Sequence, residues 1–165
     1  MTETLTIRKN IQTLPSVLTS DLKVIITALV QELDMGNCSK LHGYILDVDE
    51  VNIVSCTVSE SNSLLNFNIN YTATTLKPKI GSLYSGRVCL IFAMGILVNV
   101  AEIMKVLIPT SSNAHFIFDS DLNRIKYKNN NTDVIIENGD LLRIRITGIQ
   151  FNESTISFNC YGVIV

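Results

Sequence analysis

Asp47, Asp49 and Glu50 put three carboxylates within four residues, the densest acidic group in the chain. Acid–base chemistry needs such groups in a pocket with shifted pKa values. Asp-Glu between two apolar runs reads more simply as a solvated hairpin turn. Ser39, His42 and Asp47 include the residue types of a nucleophilic triad, but no Gly-x-Ser-x-Gly elbow surrounds the serine. Gly81 and Gly86 are spaced like a phosphate loop, yet no Gly-Lys-Ser/Thr follows. Cys38, Cys56, Cys89 and Cys160 contain no CxxC pair, and the histidines are His42 and His115. A structural zinc site wants two close ligand pairs, so the cysteines read as buried free thiols in a reducing compartment. No catalytic residue, metal ion or cofactor is expected.

Binding is the remaining chemistry. Arg143 and Arg145 alternate with Leu142, Ile144 and Ile146, so both point to one side of a strand. That side is either RNA-facing or a solvated outer wall. The net charge is −2. A protein that holds nucleic acid by charge alone is basic, so any such contact is local, weak or shared with partners. With 47% hydrophobic and 17% charged residues the chain can fill a core. Its 165 residues suit one domain or two small ones. MTETLTIRKN lacks the apolar core of a signal peptide. The longest apolar run is far short of the roughly 20 residues that span a bilayer. A soluble intracellular protein with no membrane contact is expected.

The elements that must carry these residues follow from periodicity. TLTIRKNIQTL reads as a strand with a slip near Lys9–Asn10, stopped by Pro15. Thr19, Ser20 or Asp21 can cap a helix from about Thr19 to Met35. Its apolar face is Leu22, Ile25, Ile26, Leu29, Val30 and Leu33, and Gly36 ends it. Two short strands follow, Tyr44–Val48 and Asn52–Val58, joined at Asp49–Glu50. Leu65, Phe67, Ile69 and Tyr71 alternate with Asn66, Asn68 and Asn70, the pattern of a half-buried strand. Tyr44 and Tyr71 read as core or interface packing. Pro78, in Lys77-Pro78-Lys79, cannot donate to a ladder, and a domain boundary is placed there.

Val88 to Val98 contains no polar side chain. A buried helix is conceivable, but Gly95 near its middle would cost about 1 kcal/mol, and Val, Ile and Phe favour strands. Strands at Ser82–Ile91, Ile96–Val100 and Lys105–Ile108 are predicted, with a turn at Phe92–Gly95. GDLLRIRITGIQF and STISFNCYGVIV add two more. Five short strands closing on themselves describe an OB-type barrel. Phe116–Phe118, Ile125 and Tyr127 suggest an inserted hairpin at about 111–137, with Asn129–Asn131 as a polar loop tip. Asn138-Gly139 is the turn back into the barrel.

At this point the residues resemble a family. GYILDV at Gly43–Val48, then FNINYTATTLKPKIGSLYSGRV with Lys77, Pro78, Gly81, Gly86 and Val88, then MKVLIP at Met104–Pro109 and NGDLLRIRITGI at Asn138–Ile149 occur in a characteristic order and spacing. The chain is similar over nearly its whole length to the seventh subunit of eukaryotic RNA polymerase II, its polymerase I and III counterparts and the archaeal stalk subunit. The Asn- and Ile-rich wording fits an AT-rich genome. It is consistent with a version from a large cytoplasmic DNA virus, or else with a protist or fungal polymerase III counterpart.

The resemblance implies an α+β tip domain of truncated RNP-like form at 1–78, followed by an all-β S1-like OB barrel at 79–165. It implies a non-catalytic stalk subunit of a multisubunit DNA-directed RNA polymerase with a role in initiation. Its partners would be the two largest polymerase subunits, the sixth-subunit counterpart, a fourth-subunit-like stalk partner and, weakly, nascent RNA. Its location would be a cytoplasmic viral factory and the virion, or otherwise a nucleus. Core docking at the tip would use Asn10, His42, Gly43 and Tyr44. Arg87, Phe92, Lys105, Arg143 and Arg145 would face RNA, with Arg124, Lys126 and Lys128 in the insertion. The turn after the first barrel strand, Phe92-Ala93-Met94-Gly95, offers less aromatic surface than stacking calls for. The runner-up reading is a free-standing S1-type RNA-binding protein in translation or RNA decay.

Overall fold

Alternation sets up the first sheet. β1 (Glu3–Thr13) and β4 (Leu65–Leu76) turn their apolar residues to one face, and β3 (Gly43–Val58) and the short β2 (Cys38–Ser39) extend it. The order is β1-β4-β3-β2, antiparallel throughout. The computed structural model describes residues 2–112 and 116–165; His115 lies outside them. The described chain divides into two units, Thr2–Lys77 and Pro78–Val165. The helix α1 (Leu22–Asp34) packs on the apolar face of the first sheet. Ile26 and Val30 reach 0% exposure there, in a cluster with Val48, Val51, Phe67, Ile69 and Tyr71.

Four expectations for this unit are corrected. β1 has no slip at Lys9–Asn10: its register with β4 runs unbroken from Glu3 opposite Thr75 to Thr13 opposite Leu65. The helix begins at Leu22 rather than Thr19, because Pro15–Val17 forms a short 3-10 turn first. Thr19 Oγ1 accepts the Asp21 N–H at 3.3 Å instead of capping the helix. Leu33 is 51% exposed, and Asp34 is the buried residue of the last turn. Finally, Asp49–Glu50 is not a hairpin turn. Gly43–Val58 is one strand with three bulges, whose extra residues are Leu46, Glu50 and Val54. Glu50 takes the strain, with φ +34°.

Asp34 explains itself through its partners. Tyr71 O–H donates to its Oδ2 at 2.6 Å, and Lys9 Nζ donates to its Oδ1. A carboxylate at a helix C-terminus opposes the macrodipole. Here two donors from two strands offset that penalty and tie the helix end to the sheet. Burial and the Asp34 carboxylate push the Tyr71 hydroxyl far above its usual pKa.

The second unit holds the barrel. β5 (Leu83–Phe92), β6 (Gly95–Val100), β7 (Met104–Pro109), β11 (Leu141–Asn152) and β12 (Ser157–Ile164) close in the order β11-β12-β7-β6-β5, an OB-like build. The β12–β7 pair is parallel and completes the ring. Val88, Ile96, Val98, Met104, Val106, Ile108, Ile144 and Ile146 fill it, none more than 3% exposed. The long apolar stretch is therefore two strands. Gly95 is required at its bend because a Cβ there would strike the Ile108 carbonyl. The insertion is larger than a hairpin. β8 (Ile117–Asp119), β9 (Arg124–Asn129) and β10 (Thr132–Ile136) make a three-stranded sheet. Asn130 and Asn131 supply the paired positive φ values, +48° and +67°, that a tight hairpin turn needs.

Candidate nucleic-acid interface

Each barrel strand sends alternate residues outward, and the pairing registers place those residues in rows. One row crosses β7, β6, β5 and β11 as Lys105, Asn99, Arg87 and Leu141. Neighbouring strands stand about 4.8 Å apart, so Lys105 and Arg87 lie roughly 10 Å apart with Asn99 between them. Asn99 Oδ1 is buried with no hydrogen-bond partner, although the residue as a whole is half-exposed. Arg87 Nη1 donates to the Gly139 carbonyl at 3.3 Å, which fixes the guanidinium over the turn that leads into β11.

A second row lies alongside. Tyr161 on β12 is level with Leu107 on β7, Leu107 with Leu97 on β6, and Leu97 with Leu90 on β5. Tyr161 is 39% exposed and Leu90 48%. The Tyr161 ring lies over Gly148 of β11, where an added Cβ would meet ring and Cβ atoms at 3.4–3.6 Å. The wall thus pairs a row with two cations against a row with an aromatic and three leucines. Such a strip can hold bases on one side and phosphates on the other: base–aromatic stacking is worth about 1–3 kcal/mol per base, and Lys and Arg neutralise phosphates.

The RNA-facing candidates do not all meet. Arg87 and Lys105 share the first row. Arg143 is opposite Ser85 on β5, diagonal to Arg87 and about 7–8 Å from it. Arg145 is one step further, opposite Leu83. Phe92 stands at the far end of β5, opposite Gly95 and half-buried, about 16 Å from Arg87 at 3.3 Å per residue. In the insertion, Arg124 is held by Asp119 and Glu137, each at 3.7 Å. Lys126 and Lys128 are exposed. Tyr161, Asn99 and the leucine row escaped the sequence reading. The signal for Tyr161 was its position between inward Cys160 and Gly162.

The tip candidates divide as well. His42, Gly43 and Tyr44 sit where β3 begins, with Gly43 opposite Ser39 and Tyr44 opposite Cys38 and Leu76. Asn10 is opposite Asn68, eight residues away along β4 or about 26 Å. Tyr44 is 5% exposed. Gly43 has no space for a side chain, since a Cβ would lie 2.7 Å from Lys77 Cα. Neither can present a side chain to a partner; Asn10 and His42 can. The His42 N–H donates to Ser39 Oγ at 3.0 Å, a turn contact and not a catalytic one. Of the four cysteines only Cys160 is buried. Cys89 is exposed as the bulged residue of β5, whereas Cys56, opposite buried Phe67, is exposed because it lies near the end of β3, past Ile53, the last residue of that strand to be even half-covered. Among the described residues no group of three His, Cys, Asp or Glu could hold a metal ion. No described helix is long and apolar enough to cross a membrane.

No protein-family model matches the sequence. Among solved structures, the chain is similar to the apo form of Mycoplasma genitalium RNase R, at 23% identity and a TM-score of 0.39. It is similar at the same identity, with a TM-score of 0.40, to that RNase R in complex with ribose methylated single-stranded RNA. In both, the likeness covers 51% of this chain and 13% of the RNase R chain.

Proposed function

We propose that this protein is a non-catalytic RNA-contacting subunit that serves in the stalk of a multisubunit DNA-directed RNA polymerase, with a role in initiation. In that reading its first unit is the truncated RNP-like tip and its second an S1-like OB barrel. The observation that carries RNA contact is the paired wall, Tyr161–Leu107–Leu97–Leu90 beside Lys105–Asn99–Arg87. The polymerase assignment draws on the ordered motifs. Lys77-Pro78 falls at the junction of the two units, Gly86 and Val88 on β5, Met104–Pro109 on β7 and Asn138–Ile149 on the turn and strand of β11. The first unit supplies a compact body for docking on the polymerase core, beside the sixth- and fourth-subunit counterparts.

A free-standing RNA-binding protein is the second reading, favoured by the fact that the wall is complete within the barrel. Affinity capture of the tagged chain from its native source separates the two. Recovery of the two largest polymerase subunits in near-equal amount is expected. Ribosomes, or RNA without polymerase, would move the assignment to the second reading.

A further inference from the structure

β1 is an edge strand. Among the described residues it pairs with β4 alone, through eleven residues in unbroken register. It has no proline and no bulge, two devices by which natural edges prevent further pairing. The edge is also incompletely covered. Beneath α1, Ile69, Tyr71 and Ala73 of β4 are at most 1% exposed. Leu5 and Ile7, opposite Ala73 and Tyr71 on β1, are only half-buried. The single helix leaves an apolar shelf along the outer strand.

We propose that two copies of this chain join along β1, antiparallel, about a two-fold axis at Thr6. The inference rests on β1 alone and not on the polymerase reading. The pairing register is what selects a second copy. With Thr6 opposite itself, Glu3 of each copy faces Lys9 of the other, Leu5 faces Ile7 and Thr4 faces Arg8. Opposite charges meet and apolar residues meet, the favourable cross-strand pairs. Moving the axis to Ile7 sets Leu5 against Lys9 and Glu3 against Ile11. Moving it to Arg8 sets the two arginines against each other. An axis between residues opposes odd with even positions and puts the helices on opposite faces. The Thr6 axis keeps both helices on one face and joins the two sheets into one. Lys9 already serves Asp34, but an ammonium has three donors and its side chain is 33% exposed. The contact is isologous and closes on itself, as a two-fold dimer requires.

Sedimentation of the full chain over a wide concentration range tests this. The mass is expected to rise from 18.3 kDa towards twice that value. Glu3→Lys is expected to weaken the dimer on the order of tenfold, since two attractive pairs become repulsive, with circular dichroism unchanged. With Cys56 and Cys89 replaced by serine, Thr6→Cys is expected to form a covalent dimer on oxidation, and Thr4→Cys is not. A monomer at every concentration would overturn the proposal. A dimer indifferent to Glu3→Lys that gives no Thr6→Cys crosslink would overturn it too, by placing the contact elsewhere.

Discussion

The most consequential single residue in the first unit is Asp34, a buried carboxylate on the same helix face as Val30 and Ile26, four and eight residues before it. Its two donors make specific predictions. Removing the hydroxyl with Tyr71→Phe leaves the carboxylate with Lys9 alone; denaturant unfolding is expected to show a drop of about 1–3 kcal/mol. Tyr71 also makes stability depend on alkaline pH. A tyrosine ionises near 10 in the unfolded chain, and folding raises that value. The stability that this group contributes is therefore fully present below about pH 10 and falls as pH rises towards the folded value. Tyr71→Phe is expected to flatten that limb in unfolding curves on either side of pH 10. The thiols offer an independent check. Burial pushes Cys38 up to about 11, so it stays protonated at pH 8. Alkylation there, followed by mass spectrometry, is expected to modify exposed Cys56 and Cys89 ahead of Cys38, with buried Cys160 last.

At the scale of elements, the candidate interface rests on rows made by the strand pairings of the barrel. Arg87→Ala and Lys105→Ala are each expected to weaken binding to a single-stranded oligoribonucleotide and to lower the salt slope by about 0.7 for every phosphate that is no longer neutralised. Tyr161→Ala is expected to cost about 1–3 kcal/mol without changing that slope. Fluorescence anisotropy at several salt concentrations reads both. Gly95→Ala tests the bend itself. Its Cβ would run into the Ile108 carbonyl, and a melting-temperature drop equivalent to about 1–3 kcal/mol is expected. These elements differ in how well the sequence announced them. Leu65, Phe67, Ile69 and Tyr71 alternate strictly, and β4 was legible for that reason. The barrel strands were legible from β-branched runs punctuated by Gly95, Pro109 and Asn138-Gly139. β3 was not, because a surplus residue every four positions interrupts period two, and Asp49–Glu50 then mimics a turn. Asn99 and the leucine row were illegible because rows depend on pairing register, which a single strand does not encode.

At the scale of the molecule, two units divide the work: a polar-faced sheet with one helix, and a closed barrel whose outer wall mixes cations with apolar side chains. A chain of net charge −2 gains little from long-range attraction to RNA. The isolated protein is therefore expected to show micromolar or weaker RNA affinity that falls steeply with salt, measured in the same anisotropy experiment; nanomolar binding at physiological salt would favour the free-standing reading. The bulges of β3 have a further bearing on how such a chain changes length over time. Leu46, Glu50 and Val54 have no partner across the ladder, and the residues on either side of each already point to the correct faces. Removing one of them would merely straighten the strand, whereas removing Asn68 from β4 would turn the rest of that strand inside out. Single-codon deletions should thus accumulate in Gly43–Val58 and be purged from Leu65–Leu76. The curl of one strand is in this sense a reserve of spare residues that evolution can spend without rewriting the sheet.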